Sequence, residues 1–99
     1  MRVRFAPEAL TAVREKRAWW VAHREKAPRL FVEELTAVVT KLRVGADQDC
    51  QHYVTERGRL IWRLAMPRTR NHVYYRHDAA GDIVILTVWN ATAGSPPDF

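Results

Sequence analysis

The sequence predicts an α+β domain, a helical hairpin packed on one face of a small antiparallel sheet in the order β-α-α-β-β-β. Three observations predict it. Helical periodicity occupies the first half of the chain, period-2 alternation occupies residues 59–65 and 70–77, and the last strands are separated by connections of hairpin length. With 99 residues the chain supports one domain, residues 1–99, with one modest core.

Arg2 to Ala6 alternates, with Val3 and Phe5 on one side, as a short first strand would. Pro7 ends that strand and suits the first turn of a helix, where its missing N–H is not needed, and Glu8 complements the helix dipole. Ala6 is a poor cap. From Glu8 to about Lys26 nothing breaks a helix, and Leu10, Val13, Trp20 and Val21 recur near one face while Arg14, Glu15, Lys16, Arg24 and Glu25 supply the wet side. Pro28 forces Ala27 out of the helical region and can open a second helix, so the connection is expected to be tight. In that second helix Phe31, Leu35, Val38, Val39 and Leu42 follow the i, i+4, i+7, i+8, i+11 spacing, the clearest periodic signal in the chain.

Gly45 is placed to stop the second helix, and Ala46 to Gln51 reads as a polar connector. Arg59 to Ala65 then alternates, Leu60, Trp62 and Leu64 against Arg59, Ile61 and Arg63, and Pro67 closes the strand. Arg70 to His77 alternates again: Asn71, Val73 and Tyr75 share one face, Arg70, His72, Tyr74 and Arg76 the other. Asp78 to Asp82 is a turn, and Ile83 to Trp89 is apolar on both faces, as a central strand would be. Gly94, Pro96 and Pro97 end the ordered chain.

Cys50 is the only cysteine, so an internal disulfide and a thiolate-rich zinc site are both unavailable, which fits a reducing cytoplasm. The N-terminal residues lack the apolar stretch of a signal peptide, and no segment approaches the roughly 20 apolar residues that span a bilayer. The formal net charge of +5 favours polyanionic or acidic partners. Arg57, Arg59, Arg63, Arg68, Arg70 and Arg76 fall in one stretch without Asp or Glu. On the expected pairing Arg59, Arg63, Arg70, His72, Tyr74 and Arg76 collect on the open sheet face. Such a surface can hold phosphates through guanidinium forks, or it can be a solvated face whose long arginines shield apolar neighbours.

His72 is the one candidate general base near neutral pH, flanked by cations that lower its pKa, although a lone strand histidine is more often structural. His23, His52 and His77 have no metal-ligand spacing, and neither a phosphate loop nor a nucleophile elbow is present, so no metal or cofactor is expected. Trp19 and Trp20 point about 100° apart on a helix. Only one can face the core, and the other is a candidate partner anchor or an edge-of-core residue.

The segments Val3-Arg4-Phe5-Ala6-Pro7-Glu8-Ala9, Ala27-Pro28-Arg29-Leu30-Phe31, Leu64 to Tyr75 and Ile83 to Trp89 together resemble the RelE/ParE family of bacterial toxins, over almost the whole chain. The resemblance implies a type II toxin-antitoxin pair: a helical hairpin on an antiparallel sheet, a hetero-oligomer with a cognate antitoxin, and growth inhibition by the free toxin. RelE-like members cut messenger RNA on the ribosome without a metal, and on that reading Arg63, Arg70, His72 and Tyr75 are the catalytic set. ParE-like members poison DNA gyrase by protein contact. The partner-binding candidates are Trp19, Trp20, Arg59, Arg68, Tyr74 and Arg76. The chain has Thr92-Ala93-Gly94 where relatives commonly carry two basic residues before a glycine, and His72 where ribonuclease members often place arginine. Losing a cation there removes transition-state stabilisation, and the long first helix is closer to ParE. The leading expectation is therefore a ParE-like gyrase inhibitor. A ribosome-dependent endoribonuclease and a non-toxic antitoxin-binding remnant are the alternatives.

Overall fold

The computed structural model describes residues 1–46, 50–54, 57–95 and 97, with the main chain alone for 51–54. The elements run β1 (Val3–Phe5), α1 (Pro7–His23), α2 (Leu30–Arg43), β2 (Gln51–Val54), β3 (Leu60–Met66), β4 (Asn71–His77) and β5 (Ile83–Asn90). They form an α+β fold whose five strands are ordered β1-β5-β4-β3-β2. No helix among the described residues is long and apolar enough to cross a membrane.

The sheet is mixed, which corrects the all-antiparallel expectation. β2, β3, β4 and β5 pair antiparallel, but β1 lies parallel to β5 with Val3 beside Ile83 and Phe5 beside Ile85. Ile83 N–H donates to Arg2 C=O and Ala6 N–H to Ile85 C=O, each at 2.8 Å. Alternation in a sequence says which face a residue takes and nothing about the direction of its neighbour. The second correction is β2, an extra strand at the outer edge of β3. Part of it fell in the expected connector, because four residues are too few for alternation to register.

Between Tyr74 and Tyr75 the β4–β5 register shifts: Tyr74 faces Thr87, yet Tyr75 faces Ile85, leaving Leu86 as a bulge. Ile85 and Val88, three residues apart, thereby both join the core. The two-sided apolarity of Ile83–Trp89 thus has two sources, an interior position in the sheet and a change of phase within the strand.

The helices cover the face that carries Leu64, Met66, Val73, Tyr75, Ile83, Ile85 and Val88. α2 contributes Phe31, Leu35, Val38 and Leu42 as expected, with Val39 half-buried, and each such side chain taken fully from water contributes about 1.5–3 kcal/mol. α1 differs from expectation. Leu10 and Val21 are exposed at 43% and 53%, and the inward stripe is Ala9, Val13, Lys16 and Trp20. Those positions are i, i+4, i+7 and i+11, but one is too small and one too polar to read as core. α1 stops at His23, short of Lys26, with Arg24 N–H donating to Trp20 C=O, and α2 starts only at Leu30. No side chain caps either helix N-terminus, as expected for Ala6.

Candidate functional site: a cationic groove and an arginine-bearing sheet face

The turn from β3 to β4 is fixed from below by α2. Glu34 follows Phe31 by three residues, so its carboxylate is directed inward, where it is buried. Its Oε2 accepts from Arg68 N–H at 2.8 Å, and its Oε1 accepts from Thr69 N–H at 2.9 Å and Thr69 Oγ1 at 2.6 Å. Asn71 Nδ2 donates in turn to Thr69 Oγ1 at 3.1 Å. A buried carboxylate without such donors would cost several kcal/mol, so these bonds are what allow Glu34 to sit there. Arg70, next in the turn, has φ +57° and its carbonyl accepts from Ala91 N–H at 2.9 Å. Left-handed backbone at a residue with a Cβ is uncommon, and here the two flanking strands impose it.

Arg70 therefore does not belong to β4 and does not share the face of His72, which corrects the expected placement. It lines a groove of about 610 Å³ between the end of α1 and the β3–β4 turn, on the helix side. Lys16, Arg24, Arg68 and Arg70 line it together with Trp19 and Trp20, and no carboxylate is among the described lining residues. Trp20 packs at the core edge and donates Nε1–H to Ala27 C=O at 2.6 Å, whereas Trp19 is 46% exposed and stacks on the His23 ring. The Arg24 guanidinium carbon lies 5.0 Å from the Trp19 ring centroid and 5.5 Å from that of Trp20, a double cation–π contact. Burial lowers the pKa of Lys16, with Glu15 acting in the opposite sense. At the far end Thr92 N–H and Oγ1 both donate to Asn90 Oδ1, at 2.8 and 2.7 Å, which turns the chain as β5 ends.

On the opposite face of the sheet Arg63 pairs in register with Tyr74, Ala65 with His72, and His72 with Trp89. Arg63, His72 and Arg76 are partly exposed there. Burial lowers the His72 pKa first, and the positive charge of Arg63 lowers it further. Tyr74 is only 1% exposed, with its ring edge-on to His72, so it offers no free face for stacking. Ile61 and Val84 are buried on this face as well, although neither described helix packs its core residues there. Register places Arg63 beside Tyr74 and Arg76 beside Val84, where long aliphatic stems can cover apolar neighbours.

Of the catalytic candidates, Arg63 and His72 come together, Arg70 is on the helix side, and Tyr75 is fully buried in the core. Tyr75 cannot meet a substrate in this fold. Of the partner-binding candidates, Trp19, Trp20 and Arg68 share the groove, Arg59 and Arg76 line a second depression with Trp62 and His77, and Tyr74 is covered. Sequence reading missed Lys16, Arg24 and Glu34. The i+7 spacing of Lys16 from Ala9 was the available signal for the first, whereas nothing local marked Glu34. Among the described residues no three His, Cys, Asp or Glu side chains gather as a metal site. In comparisons with known proteins, no family model, no curated protein and no solved structure matches this chain.

Proposed function

We propose that the chain is the toxin component of a type II toxin-antitoxin module of the RelE/ParE kind, acting by protein contact as a ParE-like inhibitor of DNA gyrase. The observation that carries the choice between contact and RNA cleavage is the dispersal of the four residues that cleavage would use. Metal-free phosphoryl transfer needs a base, an acid and charge stabilisation around one phosphorus. Here Arg63 and His72 stand without Tyr75 or Arg70, and Thr92 bonded to Asn90 occupies the stretch where basic residues would be supplied. The net charge of +5 supports an acidic antitoxin as the partner.

The test is induction in bacteria without an antitoxin, followed by supercoiling by purified gyrase and by transcript integrity. Growth arrest with lost supercoiling and intact transcripts is the expected outcome. Arrest with transcripts cut on ribosomes would replace the reading with the endoribonuclease. Unimpaired growth together with retained antitoxin binding would leave the non-toxic remnant.

A further inference from the structure

We infer that the groove between α1 and the β3–β4 turn is a preformed binding site for a small oligophosphate, a ligand carrying two or more linked phosphates. The inference does not rest on the toxin reading.

Four cationic residues, Lys16, Arg24, Arg68 and Arg70, line one concavity whose described lining includes no acidic residue; Glu15 and Glu34 act on it from outside that lining. Like charges gathered in a partly desolvated cleft repel, and an anion of matching charge converts that repulsion into attraction. Each cation is also placed by a specific local feature of the fold. Lys16 takes an inward position of α1, between Val13 and Trp20, where an apolar residue would pack better, and it is partly desolvated there. Arg24 is held over two indoles, which stabilise its guanidinium plane. The backbone of Arg68 is fixed by Glu34, a carboxylate whose two oxygens accept from the turn's N–H groups and the Thr69 hydroxyl. Arg70 occupies a left-handed position where glycine would be unstrained. An arginine at such a position in the lining of the groove is the kind of local strain that accompanies a binding site.

Shape selects among anions. The groove volume of about 610 Å³ lies in the range of small-molecule sites. Three arginines and a lysine in the lining of one cavity match the dense charge of linked phosphates, whose oxygens accept bidentate guanidinium forks. The carboxylates of an acidic peptide are spaced along a chain and would call for a longer track of cations.

Calorimetric titration of the full chain with inorganic tripolyphosphate, at fixed ionic strength, tests the site. Binding is expected in the micromolar range, with adenosine alone giving no heat. ATP distinguishes two sources of the same chemistry. Equal affinity for ATP and tripolyphosphate assigns the site to phosphate groups alone, and tenfold tighter ATP assigns it to a nucleotide. Arg70→Gly should weaken binding at least tenfold while the melting temperature stays or rises, because glycine relieves the backbone, so misfolding cannot account for the loss. Arg24→Gln should weaken binding similarly, and Arg43→Gln, on α2 and outside the groove, should leave it unchanged. The inference is overturned by no binding at millimolar tripolyphosphate, by an equal loss in Arg43→Gln, or by an oligoglutamate peptide that binds more tightly than tripolyphosphate. A chain that binds tripolyphosphate without arresting growth would sink the toxin reading alone, and the converse result would sink this one alone.

Discussion

The two faces of the sheet bury residues by different means. On the covered face Leu64, Met66, Val73 and Tyr75 lie under two helices, in a core joined by Phe31, Leu35, Val38 and Leu42. On the other face Ile61, Tyr74 and Val84 are just as inaccessible outside the core that the two described helices form, among the half-exposed Arg63, His72 and Arg76. A helix layer is rigid and leaves a concavity where it ends, which is where the groove forms. A roof of long side chains is adaptable, and the basic surface it presents is also the cover of a small apolar layer.

Neighbouring strand positions give the sharpest test of that contrast. Leu64→Ala removes a side chain from beneath the helices, where the surroundings cannot collapse, and is expected to cost about 4 kcal/mol in urea unfolding. Glu34→Ala is next, at about 3 kcal/mol, because two backbone N–H groups and the Thr69 hydroxyl lose their acceptor in a buried place. Ile61→Ala, as buried as Leu64 but on the uncovered face, is expected to cost about 2 kcal/mol, since flexible neighbours can relax into the space. Equal losses for Leu64→Ala and Ile61→Ala would show that the two faces are equally rigid and that the distinction is wrong.

The smallest expected effect concerns protons. His72 is held below its ordinary value of 6.5 by burial and by Arg63. The unfolded chain therefore takes up the proton first, so the stability His72 contributes is complete above about pH 6.5 and declines as pH falls toward its folded value. Arg63→Ala should raise the His72 pKa, seen in the imidazole proton shifts by NMR, and narrow that window. No movement of the His72 titration would mean that Arg63 points elsewhere in solution.

The outcome on α2 and α1 shows why some of this was legible beforehand. α2 carries large apolar residues at helical spacing, and burial followed that pattern. α1 carries Ala9 and Lys16 on its inward stripe and Leu10 and Val21 outside, so hydrophobicity pointed about a quarter-turn away from the true face. The faces of β3 and β4 were readable because alternation has period 2, and Asn71, Val73 and Tyr75 did separate from His72, Tyr74 and Arg76. Alternation misplaces Arg70 because it extrapolates through a strand end and cannot register that one residue has turned left-handed.

The α+β class, the positions of both helices and of four of the five strands, and the cationic balance are legible in the chain's own pattern. Local periodicity and composition are properties of neighbouring residues and need no partner to be read. The parallel run of β1 beside β5, the loss of Tyr75 to the core, and the reach of Glu34 over 34 residues to the turn bearing Arg68 emerge once the chain is folded. Each of those depends on which distant segments meet, and contact between them is set by the packing of the whole fold rather than by any pattern within one stretch of chain.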